Sequence, residues 1–336
     1  MDGSERKDIL CVQLFSLHHD LRREMERTLE WLAHNDFRHV ELAGFGRRTV
    51  DDFAKAFTAM QLQCVGIHAP CLEYYGERGL PKFIQWCTEM ASHFHCKNIV
   101  VFRPPGAFLE TPAHDEYEAL AGLLSTAADE LNKSKLRLFY HCFHLDWEPL
   151  SDRDGMCGLD VLMQQIKAKN VAFQLDTYFL MLAANLHGID HVRWVSHLGS
   201  RIAPAVHIND IDANGRSCML GQGVCPWAEI LPPIAGERKG DFGWVLELDP
   251  ARADRDLPMN KALIHCRDEW LKKMGDWTGA QAPGQKTVVP WKGRPRLPYP
   301  AEKGLYAETY HRQVERTATE DLFDSLRDRS FLRPLS

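Results

Sequence analysis

The chain has 336 residues, 45% of them hydrophobic and 26% charged, with a formal net charge of -6. That length allows one large domain or two ordinary ones around a real core. The acidic balance argues against nucleic acid as a partner, and a mean hydropathy of -0.33 with no long apolar run argues against a membrane.

The opening MDGSERKD is polar and has none of the apolar core of a secretory leader. Ten cysteines, Cys11, Cys64, Cys87, Cys142 and Cys266 among them, show no framework spacing and no CxxC pair. Reduced thiols in a cytoplasmic protein are the expectation.

In chain order the signals alternate. Residues 10–17 read as a strand, and 21–34 as a helix with Leu21, Met25, Leu29 and Leu32 at helical spacing. Residues 38–43 are a second strand closed by Gly44, and 50–60 a helix. Residues 63–68 are a third strand ended by Ala69-Pro70, and 80–94 a helix. Residues 98–102 are a fourth strand ended by Pro104-Pro105-Gly106, and 115–131 a helix. The fifth strand falls in 137–144, followed by a helix at 159–167. Strands at 171–176, 202–208 and 244–248 alternate with helices at 190–198, 226–231 and 259–274.

Eight short apolar strands alternating with helices predict an α/β chain, a single (β/α)8 TIM barrel over residues 9–275. An open doubly wound sheet would want a glycine-rich phosphate turn, and Gly44 and Gly46 lack its third glycine. Residues 279–336 form a Pro-rich C-terminal extension. Its first part holds Pro283, Pro290, Pro295, Pro298 and Pro300 interleaved with Trp291 and Tyr299, and 305–326 reads as one amphipathic helix. Such a segment is either a tail packed on its own barrel or an arm that grips another subunit.

The chemistry gathers at strand ends, where barrel enzymes keep their sites. The run RLFYHCFHLDWE ends the fifth strand with His141, His144, Asp146 and Glu148. Three later strands end at Asp176, His207 and Glu247. Oxygen donors with imidazole describe a divalent-metal site, for Mn2+, Mg2+, Co2+ or Zn2+ rather than a soft metal. Such an ion polarises a carbonyl and stabilises an enediolate while a nearby base takes the proton beside it. His144 and His141 are the nearest candidates for that base, and either is equally placed to orient a ligand. His68 and Glu41 end the third and second strands as candidate substrate contacts, and Arg103 is a candidate contact for an anion or carboxylate. Trp147, Tyr178, Trp227 and Phe108 are candidate apolar walls.

These stretches resemble the xylose-isomerase-like TIM-barrel superfamily of sugar isomerases and epimerases, which also holds inosose dehydratases and endonuclease IV-type proteins. The resemblance rests on QLFSLHHDLRREMERTLEWLAHNDFRHVELAGF, FYHCFHLDWE, FQLDTYFLMLAAN, AVHINDI, GQGVCPW and WVLELD. It implies metal ligands at Glu148, Asp176, His207 and Glu247, with His141 or His144 as alternatives to Glu148. Where many relatives run His-Asn-His towards Asp-Phe-Glu, this chain has Cys142 and an extra residue. It further implies proton transfer by His144, His141 and Glu247, Mn2+ as the foremost cofactor, and a rim turn at Gly221-Gln222-Gly223 that puts Gln222 near substrate. Asn209 stands where relatives often carry lysine, which favours a non-phosphorylated sugar. The implied reaction is isomerisation or epimerisation of a keto sugar or keto-glycoside. The alternatives are a lyase (a 3-keto C-glycoside deglycosidase catalytic subunit or an inosose-type dehydratase) and, from another class, a non-catalytic sugar-binding barrel. A homo-oligomer or a small second subunit is the expected assembly.

Overall fold

The computed structural model describes residues 8–45, 48–103, 113–166, 171–236, 242–249 and 256–278. The expectations for 279–336 and for Phe108 lie outside the described residues.

The elements alternate as β1 (Asp8–Gln13), α1 (His18–His34), β2 (His39–Leu42), α2 (Val50–Met60), β3 (Gln63–His68), α3 (Leu72–His93), β4 (Asn98–Val101) and α4 (His114–Lys133). They continue as β5 (Arg137–His141), α5 (Gly158–Gln165), β6 (Val171–Gln174), α6 (Thr177–His187), α7 (His191–Leu198) and β7 (Ala205–Ile208). A small hairpin, β8 (Asp210–Ile211) and β9 (Ser217–Cys218), precedes α8 (Trp227–Gly236), β10 (Phe242–Leu246) and α9 (Met259–Thr278). Eight of the described strands form one parallel sheet in the order β6-β5-β4-β3-β2-β1-β10-β7. Parallel bridges Phe173–Ile202 and Asp176–His207 bring its two edges together, with Ala203 N donating to Phe173 O and His207 N to Leu175 O. The fold is a (β/α)8 TIM barrel.

Local chemistry explains the helix ends. Thr49 caps α2 by accepting from Asp52 N, and Gln61 stops it in the left-handed region at φ 55°. The α1 residues Leu21, Met25, Leu29 and Leu32 are buried, as their spacing requires. Several elements differ from expectation: α3 begins at Leu72 rather than at residue 80, β7 begins at Ala205 rather than at 202, and the β8–β9 hairpin has no counterpart among the expected elements. The first strand ends at Gln13, and Leu14–Leu17 coil into a 3-10 turn. Helix α6, with the sequence TYFLMLAANLH, has no polar stripe to betray it, because residues 177–185 are all buried. Asp176 caps its start and Gly188 its end.

Strand alternation sorts the barrel interior into levels. Its lower interior is apolar, with Cys11, Ala205 and Val245 in one cluster and Val100, Phe139, Ala203 and Ala172 in another. Two residues further along each strand the lining changes character: Gln13 follows Cys11, His141 follows Phe139, Gln174 follows Ala172, and His207 follows Ala205. Glu41 and His68 join them. A polar level thus caps an apolar plug at the C-terminal mouth.

Candidate metal centre

Donor atoms of His141, Asp176, His207 and Glu247 lie within 4.8 Å of one another. They come from the ends of β5, β6, β7 and β10. Asp176 and His207 are bridge partners on adjoining strands, and His207 and Glu247 flank the next strand pair. His207 Nδ1 stands 2.5 Å from Glu247 Oε2 and 3.8 Å from Asp176 Oδ2. Its other nitrogen, Nε2, stands 2.5 Å from Glu41 Oε2. Burial alone would lower the His207 pKa, but Glu41 and Glu247 raise it well above the ordinary histidine value. Burial and then the neighbouring Glu247 push Asp176 up to about 7. His141, buried and facing two other imidazoles, is held well below the usual histidine range, so its ring is neutral and keeps a lone pair.

These observations test the donor set for a cation. A buried carboxylate whose pKa a second carboxylate raises, as Glu247 raises that of Asp176, calls for positive charge between the two. Among the described residues, the imidazole of His207 is the only basic side chain within ion-pair distance of Asp176 or Glu247. Neutral His141 and the carboxylates of Asp176 and Glu247 offer the lone pairs a divalent ion takes, and the set fits one.

The other expected site residues fall in several places. Glu148 lies outside the four-donor group, and on β5 His141 stands in it instead. The cause is Asp146. Its carboxylate accepts from Tyr117 Oη at 2.8 Å, Tyr140 Oη at 2.9 Å and Phe143 N at 2.8 Å. This fastens the turn His144–Trp147 towards the helix layer, and Glu148 follows the turn. His144 stacks on Phe179 at 5.8 Å, beside the four donors but not among them. His68 donates from Nε2 to Glu41 Oε2 at 3.0 Å, and Glu41 is wholly buried, so its carboxylate meets other side chains rather than solvent. Arg103, expected at substrate, points outward: it lies 4.8 Å from the Tyr117 ring centre and 3.7 Å from both Glu73 and Glu116. Trp147 is buried edge-on against Trp194. Tyr178 and Trp227 are buried too, Tyr178 donating from its hydroxyl to Gly215 O. Gln222 is exposed in a turn organised by Asp210, whose carboxylate accepts from Gly221 N and Gly223 N. A Cβ on Gly223 would meet Asp210 Oδ1 at 2.2 Å, which explains that glycine.

The sequence reading missed two groups. Phe102, Phe143 and Phe179 make an aromatic wall along His68 and His141, with Phe143 4.9 Å from the His141 ring and 4.6 Å from Phe179. Gln13 and Gln174 complete the polar level. An amide closing an otherwise apolar strand, as in LCVQ and VAFQ, was the available signal.

The family model described as xylose isomerase-like TIM barrel matches residues 29–261, and the chain belongs to this family. No curated protein matches the sequence. Among solved structures, the chain is similar to a sugar phosphate isomerase/epimerase from Parabacteroides distasonis ATCC 8503. The TM-score there is 0.64 at 17% identity, over 80% of this chain and 94% of that one. It is also similar to the IolI protein with a bound zinc atom (TM-score 0.62, 12% identity, 81% and 100% covered). A third is L-ribulose 3-epimerase (TM-score 0.58, 14% identity, 81% and 98% covered). At these identities the likeness speaks for the fold.

Proposed function

We propose that this barrel is a divalent-cation-dependent sugar isomerase or epimerase acting on a non-phosphorylated keto sugar or keto-glycoside. The observation that carries the reading is the convergence of His141, Asp176, His207 and Glu247 at the C-terminal mouth, with Asp176 and Glu247 held side by side. Neighbours in structure named as isomerases and epimerases support the reaction class.

A divalent ion held by these four residues supplies Lewis-acid polarisation of a carbonyl oxygen, which acidifies the adjacent carbon. Two imidazoles and two carboxylates suit Zn2+, Co2+ or Mn2+ better than Mg2+, which prefers oxygen alone. Glu247 takes and returns the proton. Its side chain is 18% exposed, against 1% for Asp176 and none for His207, so it is the carboxylate with access to the cavity. The aromatic wall of Phe102, Phe143 and Phe179 excludes water on one side and gives a sugar ring an apolar face to lie against. Asn209 argues for a substrate without phosphate: its Oδ1 accepts from Ser217 Oγ at 2.8 Å, and no cation occupies that place.

The test is metal content after gentle purification, together with incubation of ketohexoses and 3-keto glycosides in deuterated water. One divalent ion per chain and solvent deuterium at the carbon beside the carbonyl are expected. Release of a leaving group would assign elimination instead, and a chain that holds no ion and exchanges nothing would leave a sugar-binding barrel.

A further inference from the structure

Four side-chain nitrogens converge on the Glu41 carboxylate. Gln13 Nε2 donates to its Oε2 at 2.8 Å and Gln174 Nε2 to its Oε1 at 2.8 Å, while His68 Nε2 and His207 Nε2 stand at 3.0 Å and 2.5 Å from Oε2. Each of its two oxygens accepts from an amide N–H group, so both are committed as acceptors. An oxygen that accepts from an amide has no hydrogen to give a ring nitrogen, so each imidazole nitrogen facing Oε2 carries hydrogen. His207 therefore keeps hydrogen on Nε2, towards Glu41, and Nδ1, which faces Glu247, is the nitrogen whose hydrogen a cation would displace.

The same logic reaches His141 through Gln174. The amide nitrogen of Gln174 is committed to Glu41, so its Oε1 is the atom 3.2 Å from His141 Nδ1. Rotating the amide would set oxygen against oxygen at Glu41. His141 donates from Nδ1, and its lone pair lies on Nε2.

We propose that Glu41 is the positioning residue of this centre, fixing through direct contact and through Gln174 which nitrogen of His207 and of His141 is free to bind a cation. The proposal rests on the metal reading above and extends it to a residue that touches neither ion nor substrate. Carboxylates behind ligand imidazoles act in this way. Gly66 makes the arrangement possible: a Cβ on it would meet Glu41 Oε1 at 2.5 Å and Cγ at 3.1 Å. Strand β3 thus keeps a gap into which the Glu41 carboxylate fits.

The experiment uses the full chain as wild type, Glu41→Gln and Gly66→Ala. The first variant removes the acceptor charge without changing volume. The second displaces the carboxylate and leaves every donor of the centre in place. Isothermal titration with Co2+ alone should show one ion per chain in all three proteins, bound about 10- to 100-fold more weakly in the variants. Nitrogen-15 spectra of the metal-free wild type should show hydrogen on Nε2 of His207, whatever Nδ1 carries towards Glu247, and on Nδ1 alone of His141. In Glu41→Gln the His207 pattern should be lost. Unchanged Co2+ affinity in the folded variants overturns the proposal, as does His141 carrying its proton on Nε2 in the wild type. Two ions per wild-type chain also overturn it, because Glu41, His68 and His207 would then be ligands themselves. A wild type that binds no Co2+ sinks the metal reading instead, and the imidazole spectra still decide the role of Glu41.

Discussion

Tyr140 and His141 are neighbours on β5, and each faces a different buried carboxylate. Outside the barrel wall, Tyr140 and Tyr117 both donate to Asp146. Inside it, His141 meets Asp176, His207 and Glu247. Burial raises both aspartates, yet their surroundings differ. Asp146 is surrounded by donors, two hydroxyls and a backbone N–H, with Arg103 as the nearby cation. Asp176 has backbone donors at Tyr178 and Phe179, but its charged neighbours are His207 and a second carboxylate, Glu247. Burial therefore does not distinguish a structural acid from a site acid. The balance of partners does: Asp146 has three donors and a guanidinium near it, whereas Asp176 and Glu247 share one imidazole, a pair that a bound cation relieves.

The largest effect that would break this contrast concerns the inner cluster. Asp176→Asn and Glu247→Gln should each reduce divalent-ion binding below detection in equilibrium dialysis and abolish deuterium exchange, while circular dichroism stays that of the wild type. Binding at wild-type strength in either variant would remove the distinction between the two carboxylates. The outer cluster should behave in the opposite way. Asp146→Ala leaves two fully buried tyrosine hydroxyls without their acceptor and should cost about 3 kcal/mol in urea unfolding. The folded fraction should still bind the ion.

Ligand linkage sharpens the comparison from the other side. Co2+ at a hundredfold excess over its dissociation constant should stabilise wild type by about 2.7 kcal/mol and Asp176→Asn by nothing, read as a shift in the urea midpoint. Smallest is a pH effect at the edge of the outer cluster. Burial pushes Glu73 up to about 7, against the opposing pull of Arg103. Its folded pKa exceeds the unfolded value, so the native state binds the extra proton and stability falls as pH rises from about 4.5 to about 7. Glu73→Gln should flatten that slope, by about 2 kcal/mol across the window, measured by denaturation at several pH values. An unaltered slope would place the titration elsewhere.

Much of the barrel was legible in the chain. Strands β2 and β3 match their predicted spans closely as short apolar runs, and helices α1 and α2 do so because one-sided burial prints a period onto the sequence. Helix α6 escaped because burial on every side erases that period. Asp176, His207 and Glu247 stood out as polar residues ending apolar strands, and the structure brings those three together. Glu148 and Arg103 had the right residue type at the right strand end, but their directions were set by partners far along the chain: Tyr117 on Asp146, and Glu73 and Glu116 on Arg103.

The sequence by itself determined the alternation of strands and helices, and with it the ring of strand ends that carries the donors. Only the tertiary structure decided which residue of the 141–148 cluster faces inward. Asp146 finds its hydroxyl donors in Tyr117 of α4 and Tyr140 of β5, and this turns the chain outward after His141. The side chain left inside is then fixed by strand alternation, which places His141 within the wall and Tyr140 against the helices. Local pattern sets where a side chain sits along a strand, and contacts between distant segments set what it meets there.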